Sequence, residues 1–159
     1  MALRRDLSAD TPLEPHIGPM QLSDIPAVLD IERRSFPTPW SQRAFESELR
    51  DNFCAHYLVA RLGTEVVGYA GMWVILDEAH VTNIAVHPDY RGRRIGHRLL
   101  EALEERAREL GAKYMTLEVR PSNVIAQELY RKHGFVVKGV RRGYYTDTNE
   151  DALIMWREL

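Results

Sequence analysis

The alternation of apolar and polar positions predicts a strand, a loop and a helix near the middle of the chain. Residues 84–86 are an apolar run typical of a strand, and His87-Pro88-Asp89 ends it. After a short basic loop, apolar residues recur at helical spacing at Ile95, Leu99, Leu100, Leu103, Ala107 and Leu110. Because Gly111 follows the last of them, we expect the helix to end there.

Periodic segments on both sides of this unit predict further strands and helices. Strands are predicted at residues 16–20, 57–61, 66–75, 80–86, 114–119, 135–140 and 152–156. Helices are predicted from Ser23 or Asp24 to about Ser35, from Ser41 through Leu49, and from Ser122 or Asn123 to about Lys132. Residues 141–145 are expected to form a loop. The order of these elements predicts one mixed α/β sheet flanked by helices.

Length and composition limit the class of protein. The chain has 159 residues, of which 45% are hydrophobic, so it can bury the core of one domain. Residues 1–14 lack periodicity and are expected to be a flexible N-terminal arm before a domain at residues 15–159. A formal net charge of −2 argues against a nucleic-acid-binding protein. With one cysteine and no signal peptide or membrane span in the sequence, we expect a cytoplasmic protein that binds neither nucleic acid nor membranes.

The loop before the central helix is suited to bind phosphate. Gly92 and Gly96 are interleaved with Arg91, Arg93 and Arg94. The first turn of a helix presents N–H groups without helical partners and the positive end of the helix dipole, and both favour an anion. We therefore expect a ligand with a diphosphate at this loop. The six histidines are scattered without the spacing of metal ligands, so no metal is expected.

Four motifs occur in the order and spacing of a known family. They are YRGRRIGHRLL after NIAVHP, LEVRPSN, ELYRKHGF and GYYTDTNEDALIM. Together they resemble the motifs of the GNAT superfamily of acetyl-CoA-dependent N-acetyltransferases, over about Ile17 to Arg157. The resemblance implies a GNAT fold, in which a single mixed central sheet contains a splayed pair of strands that binds acetyl-CoA.

A narrower resemblance concerns the acceptor. FPTPW near the start, LEVRPSN, and RRGYY before EDALIM are similar to bacterial ribosomal-protein alanine N-acetyltransferases and related N-terminal acetyltransferases. This implies transfer of acetyl to the α-amine of a protein N-terminus, with alanine of a small-subunit ribosomal protein as the candidate acceptor. Two alternatives stay open. One is transfer to a lysine side chain or small amine, and the other is a non-catalytic module that binds acetyl-CoA and a protein partner.

The resemblance also implies which residues hold acetyl-CoA. Backbone groups of Ile84, Ala85 and Val86 would pair with the pantetheine arm, and the N–H of Val86 would face the oxyanion. The pyrophosphate would be held by Arg91, Gly92, Arg93, Arg94, Ile95, Gly96 and His97. Asn123 would hydrogen-bond the cofactor, although capping its own helix explains this residue equally well. Arg94 stands where the family usually has glycine, which predicts a slightly wider loop.

Two residues are predicted to move protons. An α-amine has a reference pKa of about 8, so a modest base is enough to accept its proton. Glu118, on the polar face of its strand, is expected to be that base, either with a pKa raised by partial burial or through a water. Tyr130, a phenol that stays protonated at neutral pH, is expected to donate to the departing thiolate. The structural alternatives are a surface or cross-strand charge for Glu118 and packing against Phe135 for Tyr130.

Four aromatic residues and one proline are expected to line the groove for the acceptor peptide. They are Phe36, Pro37, Trp40, Tyr144 and Tyr145. Aromatic walls supply a large contact area to a bound ligand. For Trp40, packing beneath the second helix is as good an explanation, because a tryptophan in a small domain is usually part of the core.

Overall fold

A computed structural model describes residues 14–159, so the expected arm lies outside the described residues except for Glu14. Within this range, one sheet contains β1 (His16–Pro19), β2 (Ala55–Leu62), β3 (Glu65–Ile75), β4 (Glu78–Val86), β5 (Tyr114–Val119), β6 (Val136–Tyr145) and β7 (Glu150–Glu158). The sheet is flanked by α1 (Ile25–Ser35), α2 (Gln42–Asp51), α3 (Ile95–Glu109) and α4 (Val124–Lys132). The predicted mixed α/β fold is confirmed.

The strand order leaves an opening near the middle of the sheet. The strands lie in the order β1-β2-β3-β4-β5-β7-β6, and every neighbouring pair is antiparallel except β4 and β5. These two parallel strands stop pairing at His80 and Thr116, although β4 continues to Val86 and β5 to Val119. They therefore separate toward their C-terminal ends. This opening, called the wedge below, is the splayed strand pair that the resemblance implies.

Helices cover both faces of the sheet. On one face, Leu99 and Leu103 of α3 share a buried core with Leu117 of β5. On the other face, Ile31 of α1 and Phe45 of α2 belong to a second core. The apolar face predicted for α3 is therefore confirmed. Among the described residues, no helix is both long and apolar enough to cross a membrane.

The loop predicted at residues 141–145 is wrong, because these residues are the second half of β6. Arg141 pairs with Ala152 of β7, and Tyr145 pairs with Glu150. Gly143 has a φ of 61°, which is typical of a turn, but an irregularity in the register absorbs it within the strand. Its N–H donates to Oδ1 of Asp151 in β7 at 2.8 Å. Pairing with a later strand thus overrides the local turn signal.

Two of the predicted N-cap residues, Ser41 and Asn123, cap their helices, whereas Asp24 does not. Ser41 accepts from the N–H of Ala44 at 3.1 Å and so caps α2. Asp24 occupies the N-cap position of α1, but its side chain caps no helical N–H. Its carboxylate instead accepts from Arg61 of β2 at 2.7 Å and from the N–H of Gln21 at 2.8 Å. An ion pair to a neighbouring strand replaces the local cap.

Candidate active site

The wedge is bordered by backbone groups of β4 that point away from β3. The N–H of His87 donates to β3, so the alternation of an antiparallel ladder turns the groups of Ala85 to β3 as well. The groups of Ile84 and Val86 point to the wedge, and the Val86 carbonyl accepts from the Arg91 side chain at 3.2 Å. Ile84 and Val86 thus stand where cofactor contacts are expected, whereas the backbone of Ala85 is turned away.

Glu118 lies on β5 between two polar partners. Its side chain is 10% exposed, and its Oε2 is 2.5 Å from Nε2 of His80, where the paired part of β4 ends. Its Oε1 is 3.9 Å from the guanidinium of Arg141 on β6. The cross-strand contact that the sequence left open is therefore present. It joins the predicted base to an imidazole, a second group that can carry a proton.

The surroundings of Glu118 lower its pKa, so the expected raised pKa is wrong, whereas the alternative route through a water stays a prediction. Burial by itself raises this pKa, but the hydrogen bond and charge of His80 and the charge of Arg141 lower it by more. A carboxylate with a low pKa is a weak base when it acts alone. An imidazole at hydrogen-bond distance offers the proton a second site, because a neutral ring nitrogen can accept it.

Tyr130 and Asn123 both belong to α4. The ring of Tyr130 is buried, with its centroid 5.8 Å from that of Phe135, so the packing alternative is present. Burial and, to a smaller extent, the charge of Tyr145 raise the pKa of Tyr130, which keeps the phenol protonated at neutral pH. Asn123 accepts from the N–H of Ala126 at 3.2 Å, which confirms its role as a helix cap. Proton transfer and cofactor contact stay predictions for these two residues.

Tyr144 and Tyr145 end β6 close to Glu118. Their rings are nearly perpendicular with centroids 5.0 Å apart, and the Arg141 guanidinium lies 5.7 Å from the Tyr144 centroid. Burial and then the charge of Glu118 raise the pKa of Tyr144. Burial also raises the pKa of Tyr145 to about 12, although the charge of Arg120 opposes it. Both tyrosines are therefore within electrostatic reach of the predicted base.

The loop between α1 and α2 is anchored from below. Trp40 is half-buried with its ring centroid 5.2 Å from that of Phe45, and its backbone N–H donates to Oε2 of Glu32 at 2.9 Å. Phe36 packs on the same core, whereas Pro37 is exposed. Burial raises the pKa of Glu32 despite the hydrogen bonds that it accepts. The packing explanation for Trp40 is confirmed, and its contact with an acceptor stays a prediction.

A set of polar contacts, called the loop bridge below, joins this loop to the turn between β6 and β7. Oγ1 of Thr38 donates to Oδ2 of Asp147 at 2.8 Å. Arg120, the residue after β5, donates to both oxygens of Asp147 at 2.8 and 3.1 Å. Hydrogen bonds, above all that from Arg120, lower the pKa of Asp147 to about 2. The Arg120 guanidinium also lies 3.9 Å from the centroid of Tyr145. The loop bridge thus connects the two segments that are expected to line the acceptor groove.

The basic loop before α3 is exposed and contains two left-handed residues. Gly92 has a φ of 81° and Arg94 has a φ of 62° with a ψ of 18°. Arg94 therefore keeps the backbone conformation that a glycine would favour, at a cost of about 1–2 kcal/mol for a residue with a Cβ. The expected widening of the loop stays a prediction. Arg93 lies over the ring of Tyr90, with its guanidinium carbon 5.1 Å from the centroid.

The helix start that follows this loop has the form of an anion site. Arg94 is the N-cap residue, and no side chain caps the helix there. The N–H groups of the first turn, at Ile95, Gly96 and His97, have no helical partners. Nδ1 of His97 lies 3.1 Å from Nε2 of His133, at the C-terminal end of α4. Free N–H groups and nearby cations are the features that bind phosphate.

Sequence reasoning missed His80, Arg141 and the loop bridge. In the sequence, His80 is one of six scattered histidines, and among the described residues no three His, Cys, Asp or Glu side chains gather as a metal site requires. The pairing of His80 with Thr116 puts its side chain on the same face as Glu118, two residues further along β5. That register is a property of the folded sheet, so no local signal could have revealed it.

Comparisons with known proteins agree with this geometry. A model of the acetyltransferase (GNAT) family matches residues 25–135. A protein of Bacillus subtilis (strain 168), provisionally named a ribosomal protein bS18-alanine N-acetyltransferase, is 47% identical over 137 residues, which cover 86% of this chain and 91% of that protein. The ribosomal protein bS18-alanine N-acetyltransferase of Escherichia coli (strain K12) is 38% identical over 141 residues, which cover 87% and 94%.

A solved structure shows the same fold. The crystal structure of the ribosomal-protein-S18-alanine N-acetyltransferase from Escherichia coli matches with a TM-score of 0.83 at 36% identity, and the match covers 91% of this chain and 94% of that chain. The predicted fold class and superfamily are therefore confirmed. The chain belongs to the GNAT acetyltransferase family and is an acetyl-transferring enzyme.

Proposed function

We propose that this enzyme transfers acetyl from acetyl-CoA to the α-amine of a protein N-terminus. The observation that carries the proposal is the contact of 2.5 Å between Glu118 and His80 beside the wedge. Two relatives, 47% and 38% identical, are named ribosomal protein bS18-alanine N-acetyltransferases, the first of them provisionally. Their names support an N-terminal alanine of a ribosomal protein as the acceptor.

The residues around the wedge fit acetyl-CoA, which supplies the acetyl group as a thioester. Backbone groups of Ile84 and Val86 point to the wedge and can pair with the pantetheine arm as an additional strand would. The diphosphate is assigned to the exposed arginines of the loop and to the N–H groups of the first turn of α3. The fit therefore rests on two features: the free hydrogen-bonding edge of β4 and the anion site at the start of α3, which follows β4 in the chain.

Each proton of the reaction is assigned to a side chain. Glu118 and His80 together form the base: His80 takes the proton that the amine loses, and the carboxylate stabilises the resulting imidazolium. The N–H of Val86, which points to the wedge, is assigned to the developing negative charge on the acetyl oxygen. Tyr130 donates its proton to the leaving thiolate, since its raised pKa keeps it protonated until then.

The proton-accepting pair of Glu118 and His80 suits an α-amine better than the side-chain amine of a lysine. At pH 7.5 roughly a quarter of an amine with a reference pKa of about 8 is neutral, compared with about one part in a thousand of a lysine amine with a pKa of about 10.4. The carboxylate of Glu118 has a lowered pKa and adds little driving force for deprotonating lysine. This chemistry supports the N-terminal acceptor over the lysine or small-amine alternative.

Mass spectrometry of a peptide panel tests the proposal. Peptides that differ in their first residue are incubated with the protein and acetyl-CoA, together with N-terminally blocked peptides that contain lysine. We expect acetate on free N-termini, most rapidly on those that begin with alanine. Acetate only on lysine of the blocked peptides would overturn the acceptor, and no transfer to any peptide would contradict the proposed function.

Substitutions then test the assigned residues. Glu118→Gln and Tyr130→Phe should each slow turnover by about 10²- to 10⁴-fold, the usual contribution of a general acid or base. Glu128→Gln is the matched control, since this glutamate is an exposed residue of α4. Unchanged turnover of the first two variants would contradict the assignment of these residues while leaving the acceptor result intact.

A further inference from the structure

A chain of titratable side chains connects the loop before α3 to the core of the protein. Nδ1 of His97 is 3.1 Å from Nε2 of His133, and the two rings stack at 28° with centroids 5.2 Å apart. Nδ1 of His133 is 2.8 Å from Oε1 of Glu104, whose side chain is only 5% exposed. Glu104 also accepts a hydrogen bond from Arg157 of β7. None of these groups has a part in the proton transfers assigned above.

The contacts determine where the hydrogens of the two neutral imidazoles lie. Arg157 can only donate, and an ionised Glu104 can only accept. Nδ1 of His133 therefore donates to Glu104, and Nε2 of a neutral His133 accepts from His97. Nδ1 of His97 must then carry a hydrogen, so its Nε2 has none. A neutral His97 presents a hydrogen-bond acceptor at its remaining ring nitrogen.

A hydrogen-bond acceptor at Nε2 of His97 is unsuitable beside a phosphate. His97 lies in the first turn of α3, next to the loop assigned to the diphosphate. Ionised phosphate oxygens accept hydrogen bonds, so they oppose the lone pair of a neutral Nε2. Addition of one proton converts this nitrogen into a charged donor, and such hydrogen bonds to phosphate are among the strong ones.

The charges around His97 oppose that proton in the absence of an anion. Burial, followed by the positive charge of Arg94, lowers the pKa of His97; a protonated His133 and Lys132 lower it further, and Glu101 acts in the opposite direction. A bound diphosphate adds negative charge at this place. An opposite charge within a few ångströms favours the protonated imidazole.

We propose that acetyl-CoA binds with uptake of a proton onto His97, and that His133 and Glu104 are positioning residues that hold His97 for it. The proposal rests on the proposed function, because it takes the diphosphate to lie at the loop before α3. The proton comes from the solvent when the cofactor binds. It resides on Nε2 of His97 and returns to the solvent when CoA leaves.

Proton uptake makes the affinity depend on pH. When binding takes up one proton, the association constant rises by up to about tenfold for each unit by which the pH falls. The 3′-phosphate of CoA also titrates, because a phosphate monoester has a second pKa of about 6. The contribution of His97 is therefore measured as a difference between proteins, with a second probe that lacks the 3′-phosphate.

Calorimetry measures this difference directly. The protein is titrated at about pH 6.5 with acetyl-CoA and with acetyl-3′-dephospho-CoA, each in two buffers of different protonation enthalpy. For both probes, we expect the parent to take up at least about a third of a proton more than His97→Asn. Its affinity should also increase more steeply than that of the variant as the pH is lowered from about 7.5 to 6. Equal uptake in the two proteins would overturn the proposal.

Two further variants separate positioning from general structure. His133→Gln leaves His97 in place but removes the ring that sets its hydrogens, so uptake should fall while affinity at about pH 8 stays within about twofold. His56→Gln is the matched control, because burial and then Arg106 also lower the pKa of this histidine of β2. It should take up as many protons as the parent, and a loss there would contradict the assignment to His97. If neither probe binds the parent at any pH, the proposed function itself fails, which differs from binding without proton uptake.

Discussion

The contact between His80 and Glu118 predicts how the activity depends on pH. In the protein, burial raises the pKa of Glu118, and His80 and Arg141 lower it by more. His80→Gln removes the imidazole and its charge but keeps a polar side chain. Because burial is unchanged and Arg141 is 3.9 Å away, the pKa of Glu118 should rise. A larger fraction of the carboxylate is then protonated, and inactive as a base, as the pH falls.

The size of the shift follows from the hydrogen bond that is lost. A hydrogen bond to a charged group contributes about 1.5–3 kcal/mol. One pKa unit corresponds to about 1.4 kcal/mol, so the pKa of Glu118 should rise by about one to two units, and the carboxylate, now the base by itself, should set the acid limb of the variant's activity profile. At about pH 8 the carboxylate is ionised in both proteins. There kcat/KM of the variant should still be about 10²-fold lower, because the variant lacks the imidazole that accepts the proton.

Steady-state kinetics between about pH 5 and 9 test this prediction. The substrate is a peptide with N-terminal alanine, at saturating acetyl-CoA. The amine's own ionisation affects both proteins equally, so the ratio of their kcat/KM values isolates the enzyme. His16→Gln, at an exposed histidine of β1, is the control and should give a ratio of about one. A ratio of parent to His80→Gln that stays flat across the pH range would refute the reasoning.

Three other substitutions test separate parts of the structure. Tyr130→Phe removes the proposed proton donor, so kcat should fall by about 10²- to 10⁴-fold. The thermal unfolding temperature should barely change, because the ring stays packed on Phe135. An unchanged kcat would show that the residue only packs. Asp147→Asn weakens the loop bridge, so initial-rate kinetics should show a higher KM for the acceptor peptide and an unchanged KM for acetyl-CoA. Equal rises in both KM values would argue against a role confined to the acceptor groove. Arg94→Gly relieves about 1–2 kcal/mol of left-handed strain against about 0.5–1 kcal/mol of glycine entropy, so urea unfolding should show no destabilisation. A loss above about 1 kcal/mol would show that the arginine side chain makes stabilising contacts.

Local sequence patterns were sufficient to predict most of the elements. The apolar spacing of α3 and the alternation of β5 are visible within one segment, because a helix buries one face every 3.6 residues and a strand every two. The caps at Ser41 and Asn123 likewise act within three residues of the chain. The prediction failed for residues 141–145, where Gly143 resembles a turn and the pairing partner is a later strand.

The sequence by itself determined most of the elements, the prediction of a phosphate site at the basic loop and, through a family motif, the prediction of Glu118 and Tyr130 as catalytic residues. The sign of the pKa shift of Glu118 was decided by the tertiary structure, because it depends on His80, which lies 38 residues earlier. The loop bridge joins Thr38 and Asp147 across 109 residues. Such contacts depend on strand register and on the packing of both faces of the sheet, which local periodicity does not specify. The chemistry of the site therefore follows from residues that only the folded sheet brings together.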